Sequence, residues 1–208
     1  MQTVQRYWNH NTHYHRAVLR GLPASLDRVL DVGCGDGRFA ARLAGRAREV
    51  LAIDPDPSQV EEARTRTAAD QRVTVQRADF MSEPFEPESF DAVTSLAVIH
   101  HLPFEDAIVK VTCLLRPGGR LLILGVWPGT ATPLDTLISL AAVTVNRAYI
   151  LVWGEGTMNA PIALPSMPLR EVRRTLEVLL PGATVRRRLL WRYTVSWTKP
   201  DVAAASVV

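Results

Sequence analysis

Between Arg28 and Val126 short β-type runs alternate with helix-type runs across short links, and that alternation leaves few architectures open. "RVLDV" reads as a strand and "DGRFAARLAGRA" as a helix with apolar residues at helical spacing. "EVLAID" is the next strand, and Pro57 and Ser58 start a helix in "PSQVEEARTRTAA". "RVTVQRAD" alternates as a half-buried strand does, while "FDAVTSL" is apolar enough to be buried on both faces. "FEDAIVKVTCLL" follows as a helix closed by "RPGG", and "RLLILGVW" is the fifth strand. Strand–helix alternation with right-handed crossovers requires a parallel sheet with helices on both faces, a doubly wound α/β fold.

After Trp127 the rhythm breaks. An apolar insertion, Leu134 to Trp153, precedes the amphipathic "LREVRRTLEVLL" and two closing strands in "TVRRRLLWRYTVSWTK", expected as an antiparallel pair at the sheet edge. The insertion approaches the length of a membrane span, but Asp135, Asn146 and Arg147 interrupt it, so a buried or lid helix is expected. One domain is expected over 1–208: a helical N-terminal cover (1–27), a core (28–126), the helical insertion (127–168), and a last helix with strands (169–200).

The loop "DVGCGDGR" places glycines at 33, 35 and 37. A dinucleotide fingerprint needs its last glycine at position 38, where this chain has the bulky Arg38. A P-loop would need Gly-Lys-Ser/Thr, which is absent. Two further acids end the following strands. Asp54 stands where a carboxylate can take a ribose diol, and Asp79, followed by Phe80, stands where one can accept from an adenine amino group.

Taken together, "VLDVGCGDGRFA", "LAIDPD", "RADF", "FDAVTSLAVIHHL" and "LLRPGGRLLILG" resemble the class I S-adenosylmethionine-dependent methyltransferases. The resemblance spans about residues 28–126 and implies a Rossmann-like, seven-stranded, mostly parallel sheet with an antiparallel C-terminal strand. It also implies a cofactor, S-adenosylmethionine, released as S-adenosylhomocysteine. By that resemblance Asp31, Gly33, Cys34 and Gly35 surround the methionine portion, and Asp54 and Pro55 take the ribose and adenine. Asp79 and Phe80 address the adenine edge, and Leu96 lies beside the sulfonium. Gly37 serves the turn. Tyr14 or His15, on the N-terminal cover, reaches the methionine carboxylate or the acceptor.

Transfer from a sulfonium needs alignment above all, and a base only where the acceptor is protonated. His100 and His101 follow the fourth strand at the edge where the methyl points; His100 is the expected base and His101 the alternative, and a purely structural role competes for both. The pair points to an oxygen acceptor, with nitrogen, carbon and sulfur open. His10, His13 and His15 lack acids at ligand spacing, so no metal is expected.

A net charge of +3 and the short run Arg186–Arg188, read as a solvated strand edge, do not make a nucleic-acid groove. An Asn/Asp-Pro-Pro-Tyr/Phe motif is absent after the fourth strand, which disfavours adenine or amide nitrogens as acceptors. The expected acceptor is a small molecule, with Trp127, Leu137, Leu140, Tyr149 and Trp153 as candidates to line an apolar pocket for it. RNA or protein methylation and a non-catalytic cofactor-binding module are the alternatives. Cys34 and Cys113 match neither a disulfide framework nor a metal site, and the N-terminus has no secretory pattern, so a cytoplasmic monomer or homodimer is expected.

Overall fold

The computed structural model describes residues 11–128, 136, 139, 142–145, 147 and 167–201. A seven-stranded sheet runs through them in the order β3-β2-β1-β4-β5-β7-β6. The strands are β1 (Leu26–Val32), β2 (Ala47–Asp54), β3 (Val73–Arg77), β4 (Phe90–Leu96), β5 (Leu115–Val126), β6 (Thr184–Arg187) and β7 (Arg192–Thr198). Strands β1 to β5 pair in parallel, and β7 is antiparallel to both β5 and β6. Strand order reverses between β1 and β4, the position where open α/β sheets form a crevice at their carboxyl edge.

The helices are α1 (His15–Arg20), α2 (Arg38–Leu43), α3 (Pro57–Thr67), α4 (Phe104–Leu114) and α5 (Leu169–Leu179). Capping accounts for the start of α3: Oδ1 of Asp56 accepts from the Ser58 and Gln59 amides at 2.7 and 3.4 Å, with Pro57 in the first turn. In α4, Ala107, Ile108, Val111 and Leu114 fall on one face and are buried, while Glu105 and Asp106 lie in the first turn.

Two apolar layers sandwich the sheet. On one face Tyr14, Val18, Phe39, Leu43 and Ala63 pack against Val29, Ala52, Leu122 and Leu124. On the other, Ile108, Val111, Val172 and Leu176 pack against Leu30, Val93, Ile123 and Val195. In β4 the three central residues, Ala92, Val93 and Thr94, are fully buried, as a strand covered on both faces requires.

The structure departs from the sequence expectations at three places. Helix α2 stops at Leu43 rather than running to Ala47, because the Arg46 carbonyl accepts from Leu26 and draws the chain into register with β1. The segment Arg116–Gly119 does not close α4 as a loop; it lies within β5, whose register with β4 shifts between Phe90 and Ala92. Of the three arginines in β6 and just beyond, only Arg186 is exposed: Arg187 stacks 4.1 Å from the Trp127 ring and Arg188 donates to Thr194 at 3.1 Å. Leu137, Leu140, Tyr149 and Trp153 lie outside the described residues, as does the cover before Asn11; residues 142–145 are helical.

Candidate active site

The loop after β1 is built by close approach. Gly33 has φ +69°, and a Cβ there would stand 2.2 Å from Cγ2 of Val98. Gly37 has φ +76°, and a Cβ there would stand 2.8 Å from Cα of Ala63 in α3. The tight helix contact is thus made by Gly37, one residue before the position a dinucleotide fingerprint uses, and Arg38 turns away to pair with Asp36 at 2.6 Å. The amides of Gly33 and Cys34 both donate to the Ile53 carbonyl, at 2.8 and 2.9 Å, which binds the loop to the end of β2.

Three carboxylates stand at the ends of three successive strands. Asp31, on β1, is 2% exposed, and its Oδ1 accepts the Thr94 hydroxyl at 2.7 Å across the β1–β4 pair. Oδ2 of Asp31 is buried and has no hydrogen-bond partner. Burial pushes this carboxyl up to about 7, against the Thr94 bond that lowers it, with the Asp54 charge adding to the rise. Asp54, on β2, accepts from the Gly35 amide at 2.9 Å and the Asp56 amide at 3.0 Å, one on each oxygen. Burial raises it, and those two amides work the other way. Asp79, beyond β3, is exposed and caps its own turn, Oδ1 accepting from Met81 and Ser82 at 2.7 and 3.2 Å.

Around this row the other residues singled out from sequence divide. Pro55 is exposed beside Asp54. Cys34 is buried in the loop, and burial, then the Asp31 and Asp54 charges, push its thiol well above the ordinary range, so it stays protonated. Leu96 packs at the edge of the core on the Asp31 face. Phe80 is 3% exposed and belongs to the opposite apolar layer, where the Lys110 ammonium lies 5.3 Å from its ring.

On the cover, the Tyr14 hydroxyl donates to the Leu189 carbonyl at 2.9 Å. His15 is 4% exposed and stands edge-on to Phe39 with ring centroids 4.9 Å apart. Burial, helped by Arg42 and Arg38, pushes His15 down to about 3, so it is neutral; its Nδ1 is buried without a partner. The cover therefore reaches helix α2 through His15 and the β6–β7 turn through Tyr14.

At the end of β4 the backbone is strained. Ala97 has φ +59° while its amide donates to Leu124 at 2.7 Å, and the following 3-10 turn, Ile99–His101, carries both histidines. His100 is half-buried and His101 exposed, with ring centroids 4.1 Å apart.

Sequence reasoning missed Thr94, the donor to Asp31, although a threonine inside an otherwise apolar buried strand was a signal. It also missed Val98, which fills the space over Gly33, and Arg192, the β7 residue that holds the cover at Asn11. Neither carried a signal that spacing alone would show.

Comparison with known proteins identifies the family. A family model described as a methyltransferase domain matches residues 30–123. An uncharacterized methyltransferase of Mycobacterium tuberculosis is 39% identical over 199 residues, covering 93% of this chain and 98% of that protein. A ubiquinone biosynthesis O-methyltransferase of Xylella fastidiosa is 36% identical over 140 residues, which is 64% of this chain and 53% of that protein. Among solved structures, the N-methyltransferase NodS of Bradyrhizobium japonicum in complex with S-adenosyl-l-homocysteine superposes with a TM-score of 0.61 at 18% identity, over 91% of this chain and 87% of that one. At that identity the last likeness speaks for the fold. With a relative of 39% identity spanning nearly the whole chain, and with the strand order reversed between β1 and β4, the protein belongs to the class I S-adenosylmethionine-dependent methyltransferases.

Proposed function

We propose that this protein transfers the methyl group of S-adenosylmethionine to a small-molecule acceptor, at an oxygen atom. The observation that carries the cofactor assignment is the lone oxygen of Asp31, a buried carboxylate oxygen with no donor of its own. A buried acceptor left unpaired costs about 1–3 kcal/mol, and the ammonium group of a methionine-like ligand would remove that cost. The neighbouring donor set fits the rest of the ligand. Asp54 has lone pairs beyond the two amides it accepts, for ribose hydroxyls, and Oδ2 of exposed Asp79 is open to an adenine amino group. Pro55 offers an apolar edge to the adenine, and Leu96 one to the methionine chain.

S-adenosylmethionine, when bound, supplies an electrophilic methyl on a sulfonium that departs as a neutral thioether. The chain's own part is to hold and orient. Thr94 fixes Asp31 from β4, and Gly33, Cys34 and Gly35 line the approach with backbone rather than side chains. Tyr14 and His15 belong to the cover; the Tyr14 hydroxyl is engaged by Leu189, and Nδ1 of His15 has no hydrogen-bond partner and is the polar atom we assign to the ligand. Phe80 acts from inside the core, by fixing the turn that carries Asp79. His100 takes the acceptor's proton, with His101 as the alternative.

The acceptor-side reading rests on the histidine pair at the end of β4 and on similarity to a relative named for O-methylation in ubiquinone biosynthesis. Calorimetric titration with S-adenosylhomocysteine and with NADH tests the cofactor: tighter NADH binding would overturn the proposal. His100→Ala should slow turnover at least tenfold with S-adenosylhomocysteine affinity within twofold of wild type. If only His101→Ala does so, the base is misassigned.

A further inference from the structure

Arg192 opens β7 at the carboxyl edge of the sheet, in register with Val126 of β5. Its Nε and Nη2 both donate to Oδ1 of Asn11, at 3.0 and 2.9 Å, and Nη1 donates to the Leu190 carbonyl at 3.2 Å. All of these acceptors are neutral. A guanidinium has five N–H donors, so two remain, one on each terminal nitrogen. No carboxylate forms an ion pair with Arg192 among the described residues, and burial lowers its pKa to about 10. Arg38 is paired with Asp36 and Arg187 lies over Trp127, while Arg188 and Arg120 also donate to neutral oxygens, Arg188 to Thr194 and Arg120 to Gly21, Ser196 and Thr198. A half-buried cation held on neutral oxygens, with two donors left over, has no counter-charge of its own.

The position of Arg192 along the sheet favours an anion on the acceptor side over the carboxylate of the cofactor. Arg192 lies on the Asp31 face, since Asn11 precedes the helix that packs there, but β7 is three strands from β1. At about 4.8 Å per strand that is about 14 Å between backbones, before the length of the side chains is taken off. The distance from β4, where the histidines stand, is two strands, or about 10 Å. We infer that Arg192 recognises a carboxylate on the methyl acceptor, so that the substrate is a small organic acid. This rests on the methyl-transfer reading above and narrows it.

The test uses a low-molecular-mass bacterial extract, treated with phosphatase and separated on an anion exchanger into retained and neutral fractions. Each is incubated with the protein and methyl-labelled S-adenosylmethionine. Label is expected to enter the retained fraction. Arg192→Gln, which keeps an amide donor toward Asn11, should reduce that incorporation at least tenfold while S-adenosylhomocysteine affinity stays within twofold. Asn11→Asp offers Arg192 an internal counter-ion and leaves the clasp intact, so it should also reduce incorporation about tenfold, with an unchanged or higher melting temperature. A purely structural Arg192 predicts the opposite for Asn11→Asp, namely full activity, and that result would overturn the inference. Label entering the neutral fraction alone would overturn it too, as would a loss of S-adenosylhomocysteine affinity in Arg192→Gln that matches the loss of transfer. Failure of wild type to bind S-adenosylhomocysteine would instead overturn the methyl-transfer reading, so the two are told apart.

Discussion

Thr94 donates to Oδ1 of Asp31 at 2.7 Å, from one strand of the sheet to its neighbour, and leaves Oδ2 of that aspartate buried and unpartnered. The bond orients the carboxylate and favours its ionised form, which is the form that would bind an ammonium group. Thr94→Val keeps the shape of the side chain and removes the donor. S-adenosylhomocysteine affinity at pH 7 is expected to fall about tenfold, close to the 1.4 kcal/mol a single buried hydrogen bond contributes. The midpoint of its pH dependence should move upward, and calorimetric titrations between pH 6 and 9 would show whether it does.

Asp31 also sets a stability slope. Its folded pKa, about 7, lies above the ordinary 3.8, so between those values the native state holds a proton that the unfolded chain has lost. Its contribution is therefore fully present below about pH 4 and is lost as pH rises toward 7 and beyond. About 3 pH units at 1.36 kcal/mol each bound the loss at about 4 kcal/mol. Asp31→Asn should remove this slope, so the ligand-free variant should be more stable than wild type at pH 8 while losing S-adenosylhomocysteine binding. Urea unfolding at pH 4 and pH 8 checks it; a variant less stable than wild type at pH 8 would contradict the account.

His15 acts with the opposite sign in an overlapping window. Its folded pKa of about 3 lies below the ordinary 6.5, so the unfolded chain takes up a proton first as the solution is acidified. Its contribution is present above pH 6.5 and is lost as pH falls toward 3, by at most about 5 kcal/mol. His15→Phe, which keeps an aromatic ring against Phe39, should flatten stability between pH 6.5 and 4. Thermal unfolding across that range, with and without Asp31→Asn, separates the two slopes.

The contact between Gly33 and Val98 should appear as coupling. Gly33→Ala places a Cβ in the Val98 side chain at a left-handed backbone angle, and is expected to cost more than about 2 kcal/mol. Val98→Ala alone should cost about 1 kcal/mol, and the double variant should recover part of the Gly33→Ala loss. A double-mutant cycle with no coupling would mean that backbone strain alone accounts for Gly33.

Much of the architecture was legible in the order of residues. Period-2 and helical runs alternating between Arg28 and Val126 could bury their apolar faces together only in a doubly wound sheet, and the strands at 90–96 and 184–198 stand where their patterns put them. The row of acids in the candidate site was legible because strand ends in a parallel sheet share one edge, which is where topology sets Asp31, Asp54 and Asp79. What local pattern does not encode is which atom meets which across strands. The Thr94–Asp31 bond joins residues 63 apart, and Arg192 reaches Asn11 over 181 positions. Phe80 shows the same limit: it follows an acid of the site, yet its ring packs into the far apolar layer. Sequence by itself determined the fold and the row of carboxylates, because both follow from periodicity and from the ends of strands. Tertiary packing decided which polar atoms were left without partners, Oδ2 of Asp31 and the counter-charge of Arg192, because only the assembled neighbours determine whether a buried group is satisfied.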